Sequence, residues 1–385
     1  MSAMGDFFTQ KITVLDGATA TRLQALGMEA DACMPDWVLR NAKTFQSIKR
    51  FDVDAGCDML YAPTFGATAV DFKRRGIHAD VRKTNRTLVE LTREIAGSCA
   101  VGGDIAPIAS EQPLPLDTAV DVYTEQVAAL EEAGVDFFVL ETQRSLSECR
   151  AAVIAVRSIS EKPILCSFTP TNTAHTQNGE DLTAVLLSLQ DMGVEAFGVN
   201  CCGNMNLITR VLNKLRRYAA VPLAVKPAAG IPIRHGESIR YSLTLPKMEA
   251  YLPRFISAGA RLIGGCCGTD SSFIAAVRKA VDDAEQTPFV PAEAKAWTAS
   301  PYRVVELTSR MKITELEIDE DIVENAAIAE QTGSKLLKVV LQDDIELDTL
   351  DETQDSISLP LAVHCEDEEL LRRFLRLYNG KPVIL

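Results

Sequence analysis

No apolar run in the 385 residues approaches the ~20 needed to cross a bilayer, so no membrane-spanning helix is expected. The opening, MSAMGDFFTQ, lacks both a basic stretch and an apolar core, which argues against a secretory leader and for a cytoplasmic location. Positive charge is scarce. With 39 Lys and Arg against 53 Asp and Glu, the net charge of −14 disfavours nucleic acid or an anionic membrane as partner. Aromatic residues make up 6% of the chain, with two tryptophans, leaving little material for an aromatic cage around a bound cation. The four histidines show no metal-ligand spacing, and Cys-x-x-Cys does not occur. No Gly-x-Gly-x-x-Gly follows the first apolar run, which removes the usual dinucleotide fingerprint.

What is present is a regular alternation of apolar runs and amphipathic stretches over the first ~285 residues. The strand candidates are Ile12–Asp16, Met59–Thr64, Val101–Ile105, Phe137–Glu141, Ile164–Phe168, Ala196–Cys201, Leu223–Lys226 and Leu262–Cys266. Helical patterns such as Thr118–Ala133, Ser147–Ser158, Asp181–Met192 and Leu207–Tyr218 lie between them, with Asp117 and Ser145 as expected caps. Eight such units in about 250 residues predict an α/β fold, a (β/α)8 TIM barrel over residues 1–285, with an open doubly wound sheet as runner-up. Residues 286–300, rich in Pro, Ala and Thr, read as a linker. Residues 301–385 then offer strand patterns at Val304–Leu307, Lys335–Leu341, Leu359–Val363 and Pro382–Leu385, with helices at Asp319–Gln331 and Glu366–Tyr378. This is a smaller, partial βαβ unit. The acidic stretch Asp343–Asp355 reads as a solvated face.

Ten cysteines in a chain that shows no secretory signal point to free thiols and metal rather than a disulfide framework. Two pairs are adjacent: Cys201-Cys202 in GVNCC and Cys266-Cys267 in GGCCGT, each at the end of an apolar run. Adjacent cysteines make poor disulfides, because their Cα atoms sit about 3.8 Å apart and a disulfide prefers roughly 4.4–6.8 Å. Thiolates converging from two strand ends suit zinc, and three of them leave a fourth tetrahedral position open, the pattern of a catalytic site. Side chains alternate along a strand, so one of Cys201 and Cys202 faces such a site and the other packs against helices. The remaining cysteines, Cys33, Cys57, Cys99, Cys149, Cys166 and Cys365, read as structural or incidental.

Gly198-Val199-Asn200-Cys201 and Gly265-Cys266-Cys267-Gly268 resemble the two zinc signatures of the homocysteine S-methyltransferase family. The resemblance extends over nearly all of residues 10–285 and selects Cys201, Cys266 and Cys267 as the Zn2+ ligands and catalytic centre. It implies transfer of a methyl group to the thiol of homocysteine, giving methionine. Asp16-Gly17 and Glu141-Thr142 match the family's DG and ET motifs, whose carboxylates contact the amino group of homocysteine. By the same resemblance Asn200 orients the site, and Thr64, Phe65 and Gly66 form a substrate loop. Ala62-Pro63 stands there in place of Thr-Asn, Ala106 where glycine is common, and Ala228 in place of asparagine.

Three thiolates give a zinc site a net charge of −1, so a coordinated substrate sulfur loses its proton yet stays nucleophilic. The C-terminal segment resembles the first half of the pterin-binding module that follows the homocysteine module in cobalamin-dependent methionine synthases. His364-Cys365 and VVELTSR depart from that module's folate contacts, and no folate binding is expected. That branch implies a methyl-corrinoid donor. No D-x-H-x-x-G cobalamin signature occurs, so cobalamin is expected on a separate protein. The alternatives are betaine or S-methylmethionine as donor, a non-catalytic zinc-bearing scaffold for a folate or corrinoid assembly, and a vicinal-dithiol redox protein.

Overall fold

The computed structural model describes residues 8–110, 112–235 and 238–385. Eight parallel strands make the main sheet: β1 (Thr13–Val14), β2 (Met59–Tyr61), β3 (Ala100–Ile105), β4 (Phe137–Gln143), β5 (Ile164–Phe168), β6 (Ala196–Asn200), β7 (Leu223–Lys226) and, after a hairpin of β8 (Pro232–His235) and β9 (Ser238–Tyr241), β10 (Ala260–Ile263). Their order is β1-β10-β7-β6-β5-β4-β3-β2, and a parallel bridge between Leu15 and Met59 joins the two ends. The sheet is a (β/α)8 barrel, as the alternation predicts. These strands read as unbroken apolar runs because both faces are covered. Every second residue points inward. Leu15, Met59, Tyr61, Phe137, Val139, Leu165, Ala196, Ala224 and Leu262 fill the interior, while the other parity packs on the helices. The large Phe137 ring has room because the facing position is Gly102, where a Cβ would lie 2.6 Å from Phe137 Cζ.

Local signals hold where side chains cap: Ser145 accepts from the Glu148 amide, opening the helix Leu146–Ile159. Asp117 does not cap. The helix begins one residue earlier, at Leu116, with Pro115 in the cap position and Asp117 in the first turn.

The segment 286–300 is partly structured. The strand β11 (Trp297–Ala299) pairs antiparallel with β12 (Val304–Glu306), and Ala299 packs with Ala184 and Leu187 of a barrel helix. The C-terminal unit follows: a four-stranded parallel sheet of β13 (Ile313–Glu315), β14 (Leu336–Val340), β15 (Leu361–His364) and β16 (Val383–Ile384), in chain order, with a core of its own. The acidic stretch is a helix, Asp344–Thr353, whose Leu347 and Leu350 are buried beneath the solvated carboxylates. This unit sits on the barrel. Arg150, buried on a barrel helix, donates to the Leu375 and Arg376 carbonyls at 2.9 and 3.0 Å, the C-terminal end of helix Glu368–Leu377, where a cation is favoured.

Candidate active site

The strand order puts β7 between β6 and β10, so the chain leaving β7 touches both cysteine segments. The Cys201 amide donates to the Lys226 carbonyl at 3.0 Å, and the Cys266 amide to the Pro227 carbonyl at 2.9 Å. In return the Ala228 amide donates to Cys202 O at 3.1 Å and Ala229 to Cys267 O at 2.8 Å. The backbone of KPAAG thus clamps the two thiol turns together, a role that needs no asparagine at Ala228. Gly265 allows the second turn to fold over Thr269, whose Oγ1 would lie 2.3 Å from any Cβ there.

Cys201, Cys266 and Cys267 come together with all three Sγ atoms within 4.8 Å. The Cys201–Cys267 separation is 3.4 Å and Cys266–Cys267 is 4.0 Å. Zinc–sulfur bonds of about 2.3 Å at tetrahedral angles place ligand sulfurs about 3.8 Å apart, so the trio fits a zinc ion. Among the described residues no other group of three or more His, Cys, Asp or Glu side chains is gathered in this way. Cys202 points the other way, into the layer between barrel and helices, with its Sγ donating to the Asn204 carbonyl. Strand alternation is not what separates the pair. The strand ends at Asn200, and Cys201 takes φ = +53°, a left-handed turn that a non-glycine residue adopts at a cost of about 1–2 kcal/mol. The thiols share charge. Hydrogen bonds with Cys266 and Cys267 push the Cys201 thiol far up, while those from Cys201 and Cys266 pull Cys267 down to about 3.

The thiols line a cavity of about 220 Å3 together with Gly17, Phe65, Pro63, Tyr61, Asp104, Glu141, Thr142 and Lys226. Of the expected site residues, Asp16, Thr64 and Asn200 stand behind its wall. Asp16 is fully buried: Oδ2 accepts from Lys49 Nζ at 2.5 Å and from the Tyr61 amide at 2.9 Å, and Oδ1 accepts from Lys226 Nζ at 3.0 Å. Burial works against its charge, but Lys226 and Lys49 outweigh it and hold the carboxyl below its ordinary range. Thr64 Oγ1 donates to the Asp104 carbonyl at 2.8 Å and accepts from the Asp104 amide at 2.9 Å, locking the end of β3 to the loop after β2. Asn200 Nδ2 donates to Thr142 Oγ1 at 2.7 Å. Glu141 lines the cavity and forms an ion pair of 3.2 Å with Lys226; burial raises its pKa.

Lys226 was not among the expected site residues, nor were Asp104, Tyr61 and Lys49. Lys226 Nζ lies 3.6 Å from the centre of the Tyr61 ring, between Asp16 and Glu141. Burial would pull its pKa down; the two carboxylates reverse this and hold it well up. The signal was in the strand parity. Lys226 is two residues beyond the inward Ala224, and Asp104 is paired with the inward Val139. A charged residue at an inward barrel position has no apolar explanation. Tyr241, at the end of the β8–β9 hairpin, also escaped notice. Burial first, then the adjoining Cys267, push its hydroxyl up to about 12.

A family model described as homocysteine S-methyltransferase matches residues 13–281. The methionine synthase of Mycobacterium tuberculosis is 27% identical over 77% of this chain and 27% of its own length. The homocysteine S-methyltransferase of Escherichia coli is 29% identical over 70% of this chain and 95% of its own. The solved structure of the Escherichia coli homocysteine methyltransferase MmuM in its metallated form superposes with a TM-score of 0.61 at 26% identity, covering 70% of this chain and 96% of that one. The chain spans about a quarter of the length of the methionine synthases it matches.

Proposed function

The chain belongs to the homocysteine S-methyltransferase family, and on that premise we propose that it methylates the thiol of homocysteine to methionine at a zinc ion held by Cys201, Cys266 and Cys267. The observation that carries this reading is the convergence of three thiols on a small cavity whose lining also includes Glu141. When bound, zinc in a three-thiolate site supplies one open position for a substrate sulfur and the means to hold it without its proton. The cavity, at about 220 Å3, suits a small amino acid. Glu141 offers a carboxylate for a charge-assisted bond to its ammonium. The methyl group moves as a cation equivalent from the donor onto the sulfur lone pair, the electron pair of the broken donor–methyl bond staying with the donor, and the thiol proton leaves to solvent.

The proposed donor is a methyl-corrinoid protein. The alignment with methionine synthase runs beyond the barrel, over 77% of this chain, and the chain itself carries no corrinoid signature. The reading also places the protein in the cytoplasm, where ten free cysteines stay reduced. A donor panel with homocysteine, scored for methionine, tests it. Free methylcobalamin is expected to act as a slow surrogate, with betaine and S-methylmethionine inactive; turnover with either small donor and none with methylcobalamin would reverse the assignment.

Glu141→Gln is expected to keep zinc and to weaken homocysteine binding by about 1.5–3 kcal/mol, the value of a hydrogen bond to a charged group. Calorimetric titration with homocysteine checks it, and unchanged affinity would leave Glu141 as a partner of Lys226 alone.

A further inference from the structure

One side chain beside the thiols has no task in the reaction proposed above. Tyr241 ends the β8–β9 hairpin, paired with Pro232, and the base of that hairpin is tied to the second thiol turn through a single residue. Ala229 donates to the Cys267 carbonyl at 2.8 Å and accepts from the Leu243 amide at 3.0 Å. Ser242 closes the base: its amide donates to the Ile231 carbonyl at 3.1 Å, and its Oγ accepts from the Ile231 amide at 2.9 Å. The backbone on either side of Tyr241 is therefore fixed relative to Cys267.

The ring is fixed as well. It covers Gly268, where a Cβ would stand 2.3 Å from Tyr241 Cδ2 and 2.4 Å from Cγ. Gly268 also takes φ = +78°, so both the turn and the ring above it require glycine there. The Gly268 amide donates to Thr21 Oγ1 at 3.1 Å, which holds the turn from the loop after β1. So seated, the half-buried tyrosine has a hydrogen bond between its hydroxyl and Cys267. Cys266 and Cys267 thus meet different neighbours. The Lys226 ammonium favours the charged form of Cys266, while Cys267 meets a neutral hydroxyl donor.

A donor in that place has a physical use. A site of three thiolates carries a net charge of −1 with zinc, and a fourth, anionic sulfur makes it −2. A hydroxyl that donates to one ligand sulfur draws off part of that charge and holds the sulfur in one orientation. We propose that Tyr241 is a positioning residue of the thiol site: its hydroxyl donates to the Cys267 sulfur, orients that ligand and eases acceptance of the substrate sulfur. The proposal rests on the zinc reading above and adds to it a group behind the ligands.

Tyr241→Phe keeps the ring over Gly268 and removes the hydroxyl alone. Cobalt(II) replaces zinc in sites of this kind and reports its thiolate ligands through a sulfur-to-metal charge-transfer band. Taking a donor away from a thiolate raises its lone-pair energy, so the band of the cobalt-loaded variant is expected at longer wavelength than that of wild type. Competition with a chelator is expected to show zinc held about 10-fold less tightly, the low end for the loss of a group behind a ligand. The band decides. At the wild-type position it overturns the proposal even if affinity falls, because a merely structural loss weakens binding without moving the band. Metal bound with an unmoved band removes this proposal alone; wild type that takes up neither metal removes the zinc reading with it. A crystal structure of the zinc-loaded wild type needs no variant. The Tyr241 hydroxyl is expected within hydrogen-bond reach of Cys267 Sγ, and a hydroxyl turned to solvent contradicts it.

Discussion

Replacing Cys201, Cys266 or Cys267 by serine is expected to cost the protein at least about 100-fold in zinc affinity, more than the 10- to 100-fold that changes behind a ligand produce. Each thiol is one of only three protein donors, and a serine hydroxyl has no accessible anionic form to replace a thiolate. The clamp from Lys226 to Ala229 holds the backbone of both cysteine turns through main-chain bonds, so the variants should fold and the loss should be one of chemistry. Cys202→Ser is the control. Its sulfur bonds to the Asn204 carbonyl on the far side of the turn, and full zinc content is expected. Metal analysis after dialysis against a weak chelator reads the outcome: one zinc per chain in wild type and Cys202→Ser, little in the other three. Full retention in any of those three would remove that residue from the ligand set.

Asp16→Asn is expected to destabilise the barrel by about 3–5 kcal/mol, the cost of breaking a buried ion pair from one side. Asp16 and Lys49 are fully buried, and the asparagine would leave Lys49 Nζ with only the more distant Asp52, at 4.0 Å, and Lys226 with Glu141 alone. Urea unfolding checks the magnitude. The double variant Asp16→Asn/Lys49→Met should recover part of the loss, because it removes the stranded charge along with its partner. The acid side gives a second reading. A carboxyl held below its ordinary value contributes stability that is present above the unfolded value of 3.8 and is lost as pH falls through the lower folded value. Wild type should therefore lose its advantage over Asp16→Asn below about pH 4. A variant as stable as wild type at neutral pH would return Asp16 to a purely substrate-facing role.

The barrel was legible because parallel strands covered on both faces must be apolar throughout, and runs such as FFVL and ILCSF have no other use in a chain this long. The thiol cluster was legible from its residue types and its place at strand ends, while the choice of Cys201 over Cys202 came from the family resemblance. Lys226 was overlooked because KPAAG drew notice for the alanine at 228, while the lysine two residues past Ala224 was the inward charge. Asp104 was passed over in the same way beside Ala106. Asp16 was recognised, but no local pattern ties it to Lys49, a helical residue 33 positions away. The β8–β9 hairpin and β13 escaped because their apolar residues Ile233, Ile239 and Ile313 are exposed, which erases the contrast on which strand patterns depend. Ala299, fully buried against Ala184 and Leu187, shows the opposite error: a Pro- and Ala-rich segment read as spacer is partly packed.

The central claim is that the acceptor sulfur is held where the three thiols leave a ligand position open. X-ray absorption at the zinc edge, with and without homocysteine, addresses it directly. The account predicts three sulfur neighbours and one lighter atom in the resting protein, and four sulfurs once homocysteine is added. Methionine formation by a protein whose zinc keeps three sulfurs at saturating homocysteine would contradict it.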